Sequence, residues 1–203
     1  MKILIVKYLP SGNDSYTAEL LDFFKSRIKK FYTIEELDLL ENIPPVHNLV
    51  SMKAYKERNF GGKELNDEQK KAIEPMDKLS LQFKNADLIV FAYPMHNFSI
   101  PGIVKTYLDA VIQKSILFKS ENNESKGLMG KSKFINIYTS KGAYDREYGF
   151  LDNAKVVMKI ELDFMGFIDY EFVHASTGND VTRKVHVANA QKMLEGIIKK
   201  WNL

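Results

Sequence analysis

The chain has 203 residues, 45% of them hydrophobic and 27% charged, which suits one well-buried domain spanning 1–203 better than two. Its formal charge of +3 is carried in short basic pairs such as Lys29-Lys30 and Lys199-Lys200, which do not make a nucleic-acid footprint. The lack of cysteine excludes disulfides, iron–sulfur clusters and thiol catalysis; with no apolar run near the roughly 18 to 20 residues that span a bilayer, the expectation is a cytoplasmic protein without a membrane segment.

Met1-Lys2 runs straight into Ile3–Val6, too short a run for a signal-peptide core, and this reads as a first strand. A polar loop over Pro10–Asp14 follows, and then Ala18, Leu20, Leu21, Phe24 and Ile28 recur at helical spacing. Tyr32–Leu39 reads as a second strand whose imperfect alternation suits a sheet edge. Residues 40–62 carry mixed signals: Pro44-Pro45 breaks the chain, and a short helix over Ser51–Arg58 precedes Gly61-Gly62. A helical pattern starts at Asn66-Asp67 and ends near Lys84-Asn85, with Pro75 inside it as an expected kink or break.

Asp87–Tyr93 is the third strand, apolar without interruption from Leu88 to Phe91 as a strand buried on both faces should be. Pro94 and Pro101 bound a loop, after which Val104, Tyr107, Leu108, Val111 and Ile112 mark a helix from Pro101 to near Lys114. Residues 116–127 read as an excursion or loose hairpin. A fourth strand through Phe134, Ile135, Ile137 and Tyr138 ends at Thr139-Ser140-Lys141-Gly142. Residues 150–165 are helix-patterned, Phe167–Val173 is the fifth strand, and a helix over Asp180–Trp201 closes the chain.

Alternation of strands and helices predicts an α/β fold, a three-layer sandwich around a five-stranded parallel sheet in the order 2-1-3-4-5. Ligands of such sheets bind beyond the carboxyl ends of the strands at the switch point, where the loops at 8–15 and 94–101 would meet. In the first loop Ser11, Gly12, Ser15, Tyr16 and Thr17 lie at and just inside a helix start, where free N–H groups, the helix dipole and hydroxyls favour a phosphate. Simple helix capping by Asp14 or Ser15 is the alternative. The second loop, Pro94-Met95-His96-Asn97-Phe98, offers polarisable and aromatic faces beside one amide, suited to a flat ring; otherwise it is an ordinary turn. The third, Ser140-Lys141-Gly142-Ala143-Tyr144, has small residues that let a planar ligand approach the backbone, or is itself a plain turn. A phosphate end joined to a flat-ring end is the shape of FMN.

There is no G-x-G-x-x-G, and Gly130-Lys131-Ser132 precedes a strand rather than following one, so neither a Rossmann dinucleotide site nor a P-loop is supported. His47, His174 and His186 lack metal-ligand spacing, so no metal is expected.

The stretch Pro94-Met-His-Asn-Phe-Ser-Ile-Pro101, continued by Lys105, Tyr107 and Asp109, resembles the flavodoxin-like family of FMN-dependent NADH azoreductases and NAD(P)H:quinone oxidoreductases. Phe118 followed by Gly127-Leu128 and Gly130-Lys131, the run Ser140–Ala143, and Ser15 with Thr17 add to the likeness, which runs nearly end to end. The chain departs from the family at Tyr8-Leu9, where a small hydroxyl is usual and Ser11 could stand in, at Ala143 in place of a second glycine, and at Gln113, where arginine is common. The resemblance implies a homodimer with each FMN at the interface, and electron transfer from NADH or NADPH through FMN to quinones and azo compounds. It also implies that Phe118 and Phe164 line the substrate side, and that no side chain acts as a nucleophile. A flavodoxin-type electron carrier and a flavin-free α/β binding domain are the competing readings.

Overall fold

The computed structural model describes residues 1–122, 124–144, 146–178 and 180–203. The expected alternation is realised: β1 (Lys2–Lys7), α1 (Tyr16–Arg27), β2 (Thr33–Asp38), α2 (Leu49–Asn59), α3 (Asp67–Lys84), β3 (Leu88–Pro94) and α4 (Gly102–Val111) come first. A hairpin of β4 (Phe118–Glu121) and β5 (Glu124–Gly127) follows, then β6 (Lys133–Ser140), α5 (Asn153–Met165), β7 (Asp169–Ser176) and α6 (Asp180–Trp201).

Among the described residues the main sheet has five strands in the order β2-β1-β3-β6-β7, all parallel. With the hairpin set apart, this is the expected 2-1-3-4-5 order. Successive side chains of a strand face opposite ways, so each strand feeds two cores. Leu4, Val6, Ile89, Phe91, Tyr93, Phe134 and Tyr138 pack with α3, α4 and α5 on one face. Ile3, Ile5, Val90, Ala92, Ile137 and Val173 pack with α1 and α6 on the other. Every residue of β3 from Leu88 to Tyr93 is buried, which is why its sequence is apolar without alternation. The register pairs Lys7 with Ala92, Pro94 with Thr139 and Ser140 with Ser176, so the carboxyl ends of β1, β3, β6 and β7 form one rim.

Several elements differ from the sequence expectation. The helix α3 is continuous through Pro75, because Ile73, Met76, Ser80 and Phe83 bury one face and that packing outweighs a missing N–H. The helix α4 ends at Val111, and Pro101 is its N-cap rather than a first-turn residue. The helix α5 starts at Asn153, where the Asp152 carboxylate accepts from the Lys155 N–H, and Arg146–Leu151 form a 3-10 turn before it. Gly166, at a left-handed φ of 81°, stops α5, and Phe167 is buried in the exit turn, so β7 begins at Asp169 rather than Phe167.

The insertion between β2 and α3 contains α2, capped reciprocally by Asn48 and Ser51. Its Arg58 forks onto Asp77 of α3 at 2.6 and 3.0 Å and reaches the buried Gln113 Oε1 at 2.9 Å. A guanidinium from α2 thus meets the glutamine that stands where the resembled family has arginine.

Candidate cofactor site at the strand ends

At the end of β1 the Tyr8 N–H donates to the Ala92 carbonyl, and the chain turns through Leu9 and Gly12 into a 3-10 turn over Gly12–Asp14. Ser15 caps α1: its Oγ accepts from the Ala18 N–H at 3.0 Å, and its carbonyl accepts from Glu19. Capping leaves the Ser15 hydroxyl proton to give, and leaves the first-turn N–H groups of Tyr16 and Thr17 facing out of the helix start. The helix dipole adds partial positive charge there. The Arg183 guanidinium lies 4.9 Å from the Tyr16 ring centroid. Ser11 is exposed on the approach. Thr17 differs from the expectation for its side chain: it is fully buried with its hydroxyl 2.7 Å from that of Thr139, so it presents its backbone N–H at the helix start.

The loop after β3 has a conformation that the sequence does not announce. Met95 N–H extends the β3–β6 pairing to the Thr139 carbonyl at 2.7 Å, and His96 and Ser99 exchange two backbone bonds at 3.0 and 2.9 Å. Between them Asn97 and Phe98 both have positive φ, 45° and 66°, a two-residue type I′ turn. Asparagine tolerates that region, whereas a bulky phenylalanine there is strained and must be held by its surroundings. The holds are visible: the Phe98 carbonyl accepts from the Asn153 N–H at 3.0 Å, and its ring meets Tyr144 edge-on with centroids 5.9 Å apart. His96, Asn97 and Phe98 are exposed, Pro94 and Met95 half-buried. The His96 ring stands edge-to-face with Tyr8, centroids 5.5 Å apart.

The third loop leaves β6 at Ser140, whose buried hydroxyl lies 2.6 Å from the Gly142 carbonyl and 2.6 Å from His174 Nε2. Lys141 and Ala143 are exposed, and the Tyr144 ring covers Gly142 closely. Beneath this loop the Tyr138 hydroxyl donates to Asp152 Oδ2 at 2.5 Å. Burial first, then the bond to that carboxylate, pushes the Tyr138 hydroxyl far above the ordinary phenol range, so it stays a donor.

Each pair of loops is directly joined. Tyr8 against His96 links the first and second, Met95 to Thr139 and Phe98 against Tyr144 link the second and third, and Thr17 to Thr139 links the first and third. The rim therefore carries an anion seat of backbone N–H groups and a wall of Met95, His96 and Phe98 with the Asn97 amide beside it. That donor set fits a flat, phosphate-bearing ligand. A cavity of about 530 Å³ opens beside the third loop, lined by Lys141–Tyr144, Ser176 and His186. A somewhat larger cavity, about 610 Å³, lies instead between α2 and α3 among Arg58, Lys63, Lys70 and Lys71, and none of the rim residues lines it.

Phe118 and Phe164 pack on each other, with centroids 4.8 Å apart, away from this rim. The start of α5 touches Phe98, and Phe164 lies near the end of that helix, roughly 16 Å farther along at about 1.5 Å per residue. The sequence assigns no role to Tyr8, Thr139, Tyr144, Asp152 or His174; Tyr8 and Tyr144 are the outer members of the first and third expected loops, but nothing local marks the others.

The parallel sheet order and the three loops at its carboxyl rim define a flavodoxin-like α/β protein. Residues 1–197 match the family model described as "Flavodoxin-like fold". The chain is 30% identical over 179 residues, 85% of each chain, to the FMN-dependent NADH:quinone oxidoreductase of Photorhabdus laumondii subsp. laumondii. It is 29% identical over 204 residues to FMN-dependent NADH:quinone oxidoreductase 1 of Bacillus anthracis, covering 96% of this chain and 92% of that one. Among solved structures, the FMN-dependent NADH-azoreductase of Bacillus anthracis str. Ames Ancestor in complex with FMN superposes with a TM-score of 0.84 at 28% identity, over 98% of both chains. The azoreductase of Bacillus anthracis str. Sterne, at 23% identity and a TM-score of 0.88 over 98% of this chain and 99% of that one, shares the fold. The chain belongs to the flavodoxin-like family, in its group of FMN-dependent NADH:quinone oxidoreductases and azoreductases.

Proposed function

We propose that this protein is an FMN-dependent oxidoreductase that passes electrons from NADH, with NADPH as the alternative donor, to quinones and azo compounds. The junction of all three loops at one rim carries this reading, because it combines an anion seat with a flat-ring wall and the similar proteins are named for this activity. Residues 1–203 act as one FMN-binding domain. FMN, when bound, supplies the two-electron redox chemistry.

The chain's own residues bind and orient. Ser11, the Ser15 hydroxyl and the N–H groups of Tyr16 and Thr17 hold the phosphate, with no acidic partner needed, since N–H and O–H donors bring no competing charge. Met95, His96 and Phe98, on the turn that Pro94 leads into, form the ring wall, and Asn97 gives its amide to the ring's polar edge. From the other wall of the cleft, Lys141, Gly142 and Ala143 bring up backbone N–H groups, on a loop that the Ser140 hydroxyl pins through the Gly142 carbonyl. His96, backed by Tyr8, faces the substrate side with its ring nitrogens. No side chain here has to act as a nucleophile, because positioning is what the protein contributes.

The working unit in this reading is a cytoplasmic homodimer. Val156, Ile160 and Phe164 recur every four residues on α5 and are 50, 62 and 38% exposed, and Ile168, just past the helix, is 77% exposed. An apolar stripe of this kind is normally covered by a partner. Phe118 and Phe164, far from the rim of their own protomer, then line the substrate side of the neighbouring copy. Two measurements test the proposal: turnover of NADH or NADPH with menadione or an azo dye by FMN-loaded protein, and sedimentation of that protein as a dimer. No turnover with either nucleotide refutes the enzyme reading, and a monomer refutes the shared site.

A further inference from the structure

We infer that His174, on β7 and outside all three loops, is the positioning residue that fixes the third loop and braces the second. The inference rests on the FMN reading of the rim for its consequence, but its geometry is a property of the protein alone.

Ser140 Oγ is 2.6 Å from the Gly142 carbonyl oxygen and 2.6 Å from His174 Nε2. A carbonyl oxygen carries no proton, so the hydroxyl must donate its single proton to Gly142. It can then meet His174 only as an acceptor, which puts a proton on Nε2. The imidazole thus determines which way the Ser140 hydroxyl turns, and the hydroxyl determines which way the Gly142 carbonyl turns.

The neighbouring peptides are tied in the same manner. The Ser140 carbonyl accepts from the Thr177 N–H at 2.8 Å and from Thr177 Oγ1 at 3.1 Å. The Lys141 carbonyl accepts from the Gly178 N–H at 3.1 Å and from Ser176 Oγ at 3.2 Å. Approach there is so close that a Cβ on Gly178 would come within 2.3 Å of the Lys141 carbonyl oxygen. In a trans peptide the N–H points opposite to the carbonyl. With the carbonyls of 140 and 141 drawn toward the end of β7, the N–H groups of Lys141 and Gly142 point away from it. In the sheet order β3-β6-β7 that is the side of the second loop. The Ser140 bond to Gly142 fixes the Ala143 N–H likewise. A run of oriented backbone donors results, suited to the carbonyl-bearing edge of a flat ring.

The imidazole also braces the second loop. It stacks on Tyr138 with centroids 4.7 Å apart and planes at 27°. Tyr138 donates to Asp152, Asp152 caps α5, and the Asn153 N–H of that first turn holds the strained Phe98 carbonyl. One side chain therefore serves both walls of the cleft.

The test uses full-length apoprotein carrying His174→Phe, which keeps an aromatic face for Tyr138 and loses the donor, or His174→Gln, which keeps an amide N–H. FMN affinity is read by quenching of flavin fluorescence, loop anchoring by amide exchange at Thr177 and Gly178, and the tautomer by imidazole 15N shifts of the wild type. The expected results are a protonated Nε2, FMN binding weaker by roughly five- to tenfold in His174→Phe, the worth of one ordinary hydrogen bond, and faster exchange at both amides. His174→Gln recovers affinity and exchange, and Ser140→Ala combined with His174→Phe is no worse than either alone. An unprotonated Nε2, unchanged affinity and exchange in His174→Phe, or a loss that His174→Gln fails to recover would overturn the assignment. If the wild type takes up no FMN, the FMN reading fails, and the tautomer and amide exchange still decide whether His174 holds the loop.

Discussion

Phe98 gives the sharpest quantitative test of the strand-end geometry. At a φ of 66° a side chain with a Cβ is disfavoured by about 1–2 kcal/mol relative to glycine. Phe98→Ala and Phe98→Gly delete the same half-exposed ring and the same edge contact with Tyr144, so those losses cancel when the two variants are compared. What remains is the relief of left-handed strain in the glycine variant, set against about 0.4–1 kcal/mol for its more flexible unfolded chain. The glycine variant should therefore be more stable than the alanine variant by up to about 1.6 kcal/mol, the reverse of the order at an ordinary position. Urea unfolding of the apoproteins measures the difference directly. Both variants should also lose FMN affinity, since neither has the ring. If alanine proves the more stable replacement, the type I′ turn at Asn97-Phe98 is absent and the ring wall built on it falls.

Asn97→Ala is expected to weaken FMN binding by about 1–3 kcal/mol, the consequence of leaving a ligand polar group unpaired, as read by fluorescence titration; unchanged affinity would remove Asn97 from the site. Asp152→Ala loses the α5 cap and strands the buried Tyr138 hydroxyl, about 2–4 kcal/mol together, while Tyr138→Phe should be milder because the cap survives. Equal stabilities of the two variants in denaturant titration would contradict the shared role of Asp152. Acid should weaken the β2 edge. Burial alone would raise the Glu36 carboxyl, but the hydrogen bond and charge of Lys25, with Lys7, outweigh it and hold the group below the usual carboxylate range. Because the folded pKa is depressed, this stabilisation is present above the unfolded value and lost as pH falls through the folded one. Glu36→Gln should flatten the loss of stability below about pH 4.5, and an unaltered acid profile would show that the ion pairs contribute nothing.

The order of strands and helices was legible because it follows from periodicity: β3 is apolar throughout where both its faces are covered, and α4 shows its stripe where one face is. The loops were legible as candidates because the fold places ligands beyond strand ends. Their inner wiring was not. Thr17 looks like a loop hydroxyl, yet its partner Thr139 lies 122 residues away, and only the closed sheet brings the two together. Nothing in the pair Asn97-Phe98 marks a left-handed phenylalanine, since the His96–Ser99 bonds impose it. His174 carries no motif, and its role depends on the β6–β7 register that sets it beside Tyr138. Pro75 reads locally as a break, and only the packing of α3 against the core overrides it. The distance of Phe118 and Phe164 from the rim is likewise a matter of where α5 points.

The central claim is that a bound FMN accepts electrons from a nicotinamide nucleotide on this rim. Anaerobic titration of the FMN-loaded protein with NADH, followed in the flavin absorbance band, tests it most directly. Complete bleaching at about one NADH per FMN, reversed by addition of menadione, is the predicted result. A flavin that stays oxidised with both NADH and NADPH, or a stable semiquinone on dithionite reduction with no response to nucleotide, would contradict it and favour an electron carrier.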